Sequence, residues 1–339
     1  MRFASCFRFR SQRYVTLAYL LQLGACTPLV LPPGAPSTTP RLASAHFITS
    51  DAAVLPVRRW LPAVPPKAVI VALHGFNDYS RAFEMPGKFF RSQGIACYAY
   101  DQRGFGQAPG HGLWSGTRAY TNDLAEFTEA VRHRHPGLPL YVLGESMGAA
   151  VALVAMAGVP PSAVDGLILT APAVWSRETM PWYQDALLET SAHTLPWLRL
   201  TGQGLKIVAS DNIDMLRGLN RDPLVIKGTR VDTIYGLADL MDEAMERVAQ
   251  IRTPTLILLG DRDQVIPKEP LAIMLERIPS RLQARVASYG QGYHLLLRDL
   301  HAKTPWRDIV AWIANRSQPL PSGSERQLAG SDAKSPSRL

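Results

Sequence analysis

Short β-branched, apolar runs alternate with stretches of helical periodicity from about residue 46 to residue 313. This alternation predicts an α/β fold with a mostly parallel sheet and helices on both faces. The runs HFITS and VLPVRRW flank Asp51 and read as an antiparallel hairpin at the sheet edge. Ala68 to Leu73 (AVIVAL) is a continuous apolar strand leading into His74-Gly75-Phe76. A helix is expected near Arg81 to Gln93, a strand over Ile95 to Tyr100, a glycine-rich loop over Asp101 to Trp114, and an amphipathic helix over Thr121 to Arg134. Leu140 to Leu143 is the next strand and Met147 to Ala157 a buried helix of small apolar residues. Gly166 to Ala171, Thr255 to Leu259 and Gln283 to Ser288 are further strands. About 80 residues separate the first two of these, and a connection of that length carries its own structure and usually a function. It is read as a helical cap over about residues 173–251.

The two ends depart from this pattern. The first 13 residues carry four arginines, and Tyr14 to Ala25 form an uncharged, mostly apolar run of 12 residues. That is the grammar of a signal peptide, residues 1–25, and the run falls short of the roughly 20 apolar residues that a membrane-spanning helix needs. The junction Leu23-Gly24-Ala25-Cys26 resembles the lipobox of bacterial lipoproteins. This resemblance implies lipidation of Cys26, export, and anchoring in a membrane of a bacterial envelope. Thr27 rather than Asp after the cysteine resembles lipoproteins sorted to the outer membrane. Residues 27–41 hold five prolines in fifteen positions, so 26–44 reads as an extended tether. Residues 317–339, rich in Ser, Pro, Gly and charge, read as a solvated tail without assigned function. The folded domain is expected over 45–316.

Charge and cysteine content exclude several classes. Of the net charge of +8, Arg2, Arg8, Arg10 and Arg13 contribute four in the acid-free first 25 residues, leaving 8 − 4 = +4. No basic stripe interleaved with aromatics appears, so no nucleic-acid partner is expected. Three cysteines give no disulfide framework, and no CxxC, HExxH or clustered His/Asp set points to a metal.

The chemistry lies in Gly144-Glu145-Ser146-Met147-Gly148. A nucleophilic serine needs a sharp turn between strand and helix, and glycines two residues before and after it remove the clashes that side chains would make there. In this arrangement the acid and then the histidine follow the serine in the chain. His294, in a glycine-containing loop after the strand ending at Ser288, is the candidate base, and His301 falls too far into the next segment. The acid must leave the end of the strand Thr255 to Leu259. There Gly260-Asp261-Arg262-Asp263 offers two aspartates, and position alone does not choose between them. The oxyanion hole is expected from the backbone N–H groups of Met147 and Phe76. His74 is expected to order the loop that carries Phe76.

The combination of HGF, GESMG, DQRGFGQAPG, Asn220-Arg221-Asp222-Pro223, GDRDQVIP and GYHLLLRD resembles the monoacylglycerol lipase and lysophospholipase group of α/β-hydrolases, over about residues 46–313. The resemblance implies that Asp263, the Asp before the xVxP stretch, is the acid, with Asp261 structural. It also implies cleavage of fatty-acyl glycerol esters without cofactor or metal. One departure is Gly148-Ala149, where the family frequently has Gly-Gly. The cap holds Trp175, Trp182 and Trp197, three of the chain's seven tryptophans, which suits an acyl-chain channel. Two other functions use the same scaffold: an acyltransferase sharing the acyl-enzyme, and a catalytically idle binding protein. Oligomeric state has no signature in the sequence.

Overall fold

The computed structural model describes residues 26–157, 164–202, 204, 206–282 and 284–326. The signal-like run 1–25, residue 283 at the start of an expected strand, and residues 327–339 of the tail lie outside them. The strands are β1 (Arg41–Leu42), β2 (His46–Ile48), β3 (Val54–Trp60), β4 (Ala68–Leu73), β5 (Ile95–Tyr100), β6 (Leu140–Glu145), β7 (Gly166–Thr170), β8 (Arg199–Thr201), β9 (Gly228–Arg230), β10 (Thr255–Gly260), β11 (Arg285–Tyr289) and β12 (Glu325–Arg326). The helices are α1 (Glu84–Ser92), α2 (Thr117–Arg134), α3 (Met147–Met156), α4 (Trp182–Thr194), α5 (Ile213–Arg221), α6 (Val231–Arg247), α7 (Lys268–Arg277) and α8 (Lys303–Ala314).

Ten strands form one sheet in the order β1-β2-β3-β5-β4-β6-β7-β10-β11-β12. From β5 through β11 every neighbour is parallel, while β3 and β12 pair antiparallel at the two flanks. β4, β5 and β6 are buried at every residue, as their unbroken apolar runs require when helices cover both faces. α3 is buried all round apart from Ala155. Its small side chains let it lie between the sheet and α6, which packs against it. The last helix of the expected cap therefore belongs to the layer that covers the sheet, and the projecting part consists of α4, α5 and the two-stranded β8-β9 sheet.

Both ends of the described chain are more ordered than composition suggests. β12 pairs with β11, Arg285 binds Glu325, and Leu320 is buried. Residues 317–326, expected in the tail, therefore belong to the fold, and without β12 the edge of β11 would be unpaired. The proline-rich segment is extended, yet docked. The Cys26 amide donates to the His193 carbonyl at the end of α4 (2.7 Å) and the Leu31 amide to the Trp114 carbonyl (2.7 Å). Further along, the Gly34 amide meets Asp51 Oδ2 (2.9 Å), and the Ser37 and Thr38 amides meet the Ser50 carbonyl. The prolines carry no N–H, so the contacts fall to the other residues of the segment. Asp51 in turn joins Asp123 around the buried Arg103 guanidinium (2.6 and 2.7 Å), which fixes the glycine-rich loop.

Candidate active site

Four loops at the carboxyl ends of β4, β6, β10 and β11 converge, the place where open parallel sheets put their ligands. Ser146 follows β6 with φ 54° and ψ −115°, a conformation that strains a residue bearing a Cβ and projects its hydroxyl from the turn. The flanking glycines are sterically required. A Cβ on Gly148 would lie 2.2 Å from the Leu73 carbonyl oxygen, and one on Gly144 would lie 2.5 Å from the backbone of Ala149. The turn is further pinned by the Ser146 amide donating to Thr170 (3.0 Å) and the Ala173 amide donating to Ser146 (3.1 Å).

His294 and Asp263 complete a continuous relay. His294 Nε2 lies 2.9 Å from Ser146 Oγ, and its Nδ1 lies 2.8 Å from Asp263 Oδ2. An ionised carboxylate only accepts hydrogen bonds, so Nδ1 carries the proton and Nε2 accepts from the serine hydroxyl. Asp263 Oδ1 accepts the amides of Val265 (2.7 Å) and Ile266 (3.2 Å), which orients the carboxylate. Asp261 points elsewhere, to the Ser288 hydroxyl and to Arg326. Gly260 and Gly292 allow the acid turn and the histidine loop to touch: a Cβ on Gly260 would lie 2.5 Å from the Gly292 carbonyl oxygen.

Phe76 follows β4, and Met147 opens α3, where helix amides have no intrahelical acceptor. His74 beneath them is fully buried, and desolvation pulls its pKa below the ordinary value. Its Nδ1–H donates to the Gly75 carbonyl and its Nε2 accepts the Gln102 amide (2.9 Å each), so a neutral ring ties the Phe76 loop to the glycine-rich loop. Phe105 packs edge-on against both His74 and Phe76.

Among the described residues the three tryptophans do not come together to wall an enclosed channel. Trp175 is partly buried against the core, but Trp182 and Trp197 are 80% and 54% exposed. An indole open to water on that scale cannot wall an enclosed tunnel. Both stand exposed on the cap, as do Tyr183, Leu187 and Leu198. The cleft beside the catalytic loops, about 370 Å³, lies between α5 and the segment Asp78–Met85 and includes Arg298.

Three charged residues that sequence reasoning passed over meet here. The Arg298 guanidinium lies 2.7 Å from Asp78 and 2.7 Å from Glu145. Each stands within four residues of Phe76, Ser146 or His294, and that was the available signal. The cap latches onto the same loops. Ser210 binds Asp299, Asn212 donates to the Arg298 carbonyl (2.9 Å), and the Ile226 amide donates to Asn77 (3.0 Å). Burial pushes the Asp299 carboxyl up to about 6.

The arrangement has the geometry that a nucleophilic serine, its base and an orienting acid require. Residues 64–301 match the serine aminopeptidase S33 family. Over 264 residues the chain is 26% identical to a monoacylglycerol lipase of Mycolicibacterium smegmatis, covering 76% of this chain and 91% of that one. It is 25% identical over 287 residues to human monoglyceride lipase, covering 83% and 94%. The crystal structure of a soluble variant of monoglyceride lipase from Saccharomyces cerevisiae, in complex with a substrate analog, superposes with a TM-score of 0.67 at 18% identity, covering 85% of this chain and 98% of that one. The chain belongs to the serine aminopeptidase S33 family, has the α/β-hydrolase fold, and is an ester hydrolase.

Proposed function

We propose that the protein hydrolyses fatty-acyl esters of glycerol, monoacylglycerol or lysophospholipid, through an acyl-enzyme on Ser146. The observation that carries this is the unbroken Ser146–His294–Asp263 relay on a strained elbow. Ser146 Oγ attacks the ester carbonyl while His294 Nε2 takes its proton, and the amides of Met147 and Phe76 receive the charge on the carbonyl oxygen. His294 then returns the proton to the leaving alcohol. Water repeats the cycle on the acyl-serine and frees the acid, and Asp263 holds the imidazole tautomer throughout. The names of the relatives favour acylglycerols, and the exposed apolar side chains of the cap favour a substrate held in a lipid surface. Lipidation of Cys26 and residence in a bacterial envelope, at the outer membrane, are part of this reading, supported by the LGAC junction.

The test is hydrolysis across monoacylglycerols, lysophospholipids and short p-nitrophenyl esters, with fluorophosphonate labelling of the serine. Ser146→Ala and His294→Ala are each expected to cut turnover by roughly 10⁴-fold while the fold persists. Activity within tenfold of the parent in either variant would overturn the assignment. Preference for short soluble esters over every lipid ester would overturn the substrate class.

A further inference from the structure

We propose that Arg298 is a positioning residue that holds the oxyanion loop and the nucleophile elbow in register with the histidine loop. This inference rests on the acyl-enzyme reading above. One guanidinium fork, carried on the segment that follows His294, reaches the loop after Phe76 and the strand end before Ser146. Nη1 lies 2.7 Å from Asp78 Oδ2, two residues past Phe76, and Nη2 lies 2.7 Å from Glu145 Oε1, immediately before Ser146. Arg298 itself stands four residues after His294. The side chains of Arg298, Asp78 and Glu145 are only 5%, 10% and 1% exposed.

The loops meet with little room to spare. A Cβ on Gly75 would lie 3.3 Å from Ser146 Cβ and 3.9 Å from Glu145 Oε1, so the oxyanion loop rests directly on the elbow. Asp78 Oδ1 also accepts the Tyr79 amide (2.8 Å), which extends the tie into the next turn of that loop. A planar fork fixes the two carboxylates relative to each other in distance and angle, which a flexible ammonium does not.

Stability is a poor explanation for the cluster. Taking one cation and two anions out of water is costly, and apolar residues of similar volume often serve a fold as well or better. Nε of Arg298 is buried with no partner among the described residues, an added cost. Burial opposes the charge on Arg298, but Asp78 and Glu145 outweigh it and keep the group cationic. The Asn212 bond to the Arg298 carbonyl brings the cap onto the same residue.

The experiment compares Arg298→Met and Arg298→Lys with the parent on an ester and its thionoester. Sulfur accepts hydrogen bonds poorly, so the ratio of the two rates reports how well the Phe76 and Met147 amides are aimed. Arg298→Met is expected to keep KM within about threefold, to lower kcat about 10²-fold to 10³-fold, the effect of losing one oxyanion donor, and to shrink the ester to thionoester ratio. Arg298→Lys is expected to recover part of both. If Arg298→Met does not fold, Asp78→Asn keeps the shape and is expected to move the ratio in the same direction. A folded variant with lower thermal stability and an unchanged ratio would show a merely structural role and overturn the proposal. Absence of ester turnover and of Ser146 labelling in the parent would instead overturn the acyl-enzyme reading on which it rests.

Discussion

Asp261 and Asp263 leave the same turn and meet different partners. Asp263 faces His294, whereas Asp261 binds Ser288 on β11 and Arg326 on β12. Only the first bond fixes an imidazole tautomer, so Asp263→Asn is expected to lower kcat by about 10³-fold to 10⁴-fold. Asp261→Asn should stay within tenfold and show mainly a lower melting temperature. Steady-state kinetics on both purified variants decides this, and the reverse order would move the acid to Asp261. Ser146 and His294 were legible in the sequence because order along the chain and a glycine pattern identify them. The acid was not legible from position, since Arg326 lies 65 residues from Asp261 and pairs with it only after β12 covers β11. The Arg298 cluster was hidden for the same reason: Arg298 and Asp78 are 220 residues apart.

Two helical glycines respond oppositely to alanine at the scale of the element. Gly218 in α5 has open space where a Cβ would stand, and glycine inside a helix costs roughly 0.5–1 kcal/mol relative to alanine. Gly218→Ala is expected to stabilise by up to that amount. Gly236 in α6 receives the Trp114 indole, and its Cβ would lie 2.3 Å from that ring. Gly236→Ala should destabilise by about 1–3 kcal/mol, and denaturant melts of the pair test the opposite signs. The anchor of the glycine-rich loop carries a pH signature. Hydrogen bonding to Arg103 holds the Asp51 carboxyl well below the usual carboxylate range. A depressed acid stabilises the fold above its unfolded pKa, near 4, and loses that contribution as pH falls through its lower folded value. The stability gap between the parent and Asp51→Asn should therefore narrow as pH falls below about 4. A gap that widened on acidification would contradict the ion pair. The strands of the core were legible because burial on both faces demands unbroken apolar runs. α6 was assigned to the cap because its sequence does not reveal that it packs on α3.

At the scale of the whole molecule the amino-terminal segment joins the cap to the sheet edge. It touches His193 of α4, Trp114 of the glycine-rich loop, and Asp51 and Ser50 beside β2. Proline content correctly signals extension but carries no information on docking, since the acceptors it meets are carbonyls and a carboxylate far along the chain. The amides of Leu31, Gly34, Ser37 and Thr38 should exchange with deuterium more slowly than unstructured peptide. Exchange at the unstructured rate would mean that the segment swings free. A free extended leash of fifteen residues could reach about 45 Å, and a docked one has almost no swing. The contact between Cys26 and His193 therefore controls bearing rather than reach. With a lipid on Cys26, the reading proposed above, the enzyme would be moored at the end of its cap and would keep one face turned to the bilayer. Its encounters would then follow the lateral diffusion of lipid past a fixed mouth, a search in two dimensions.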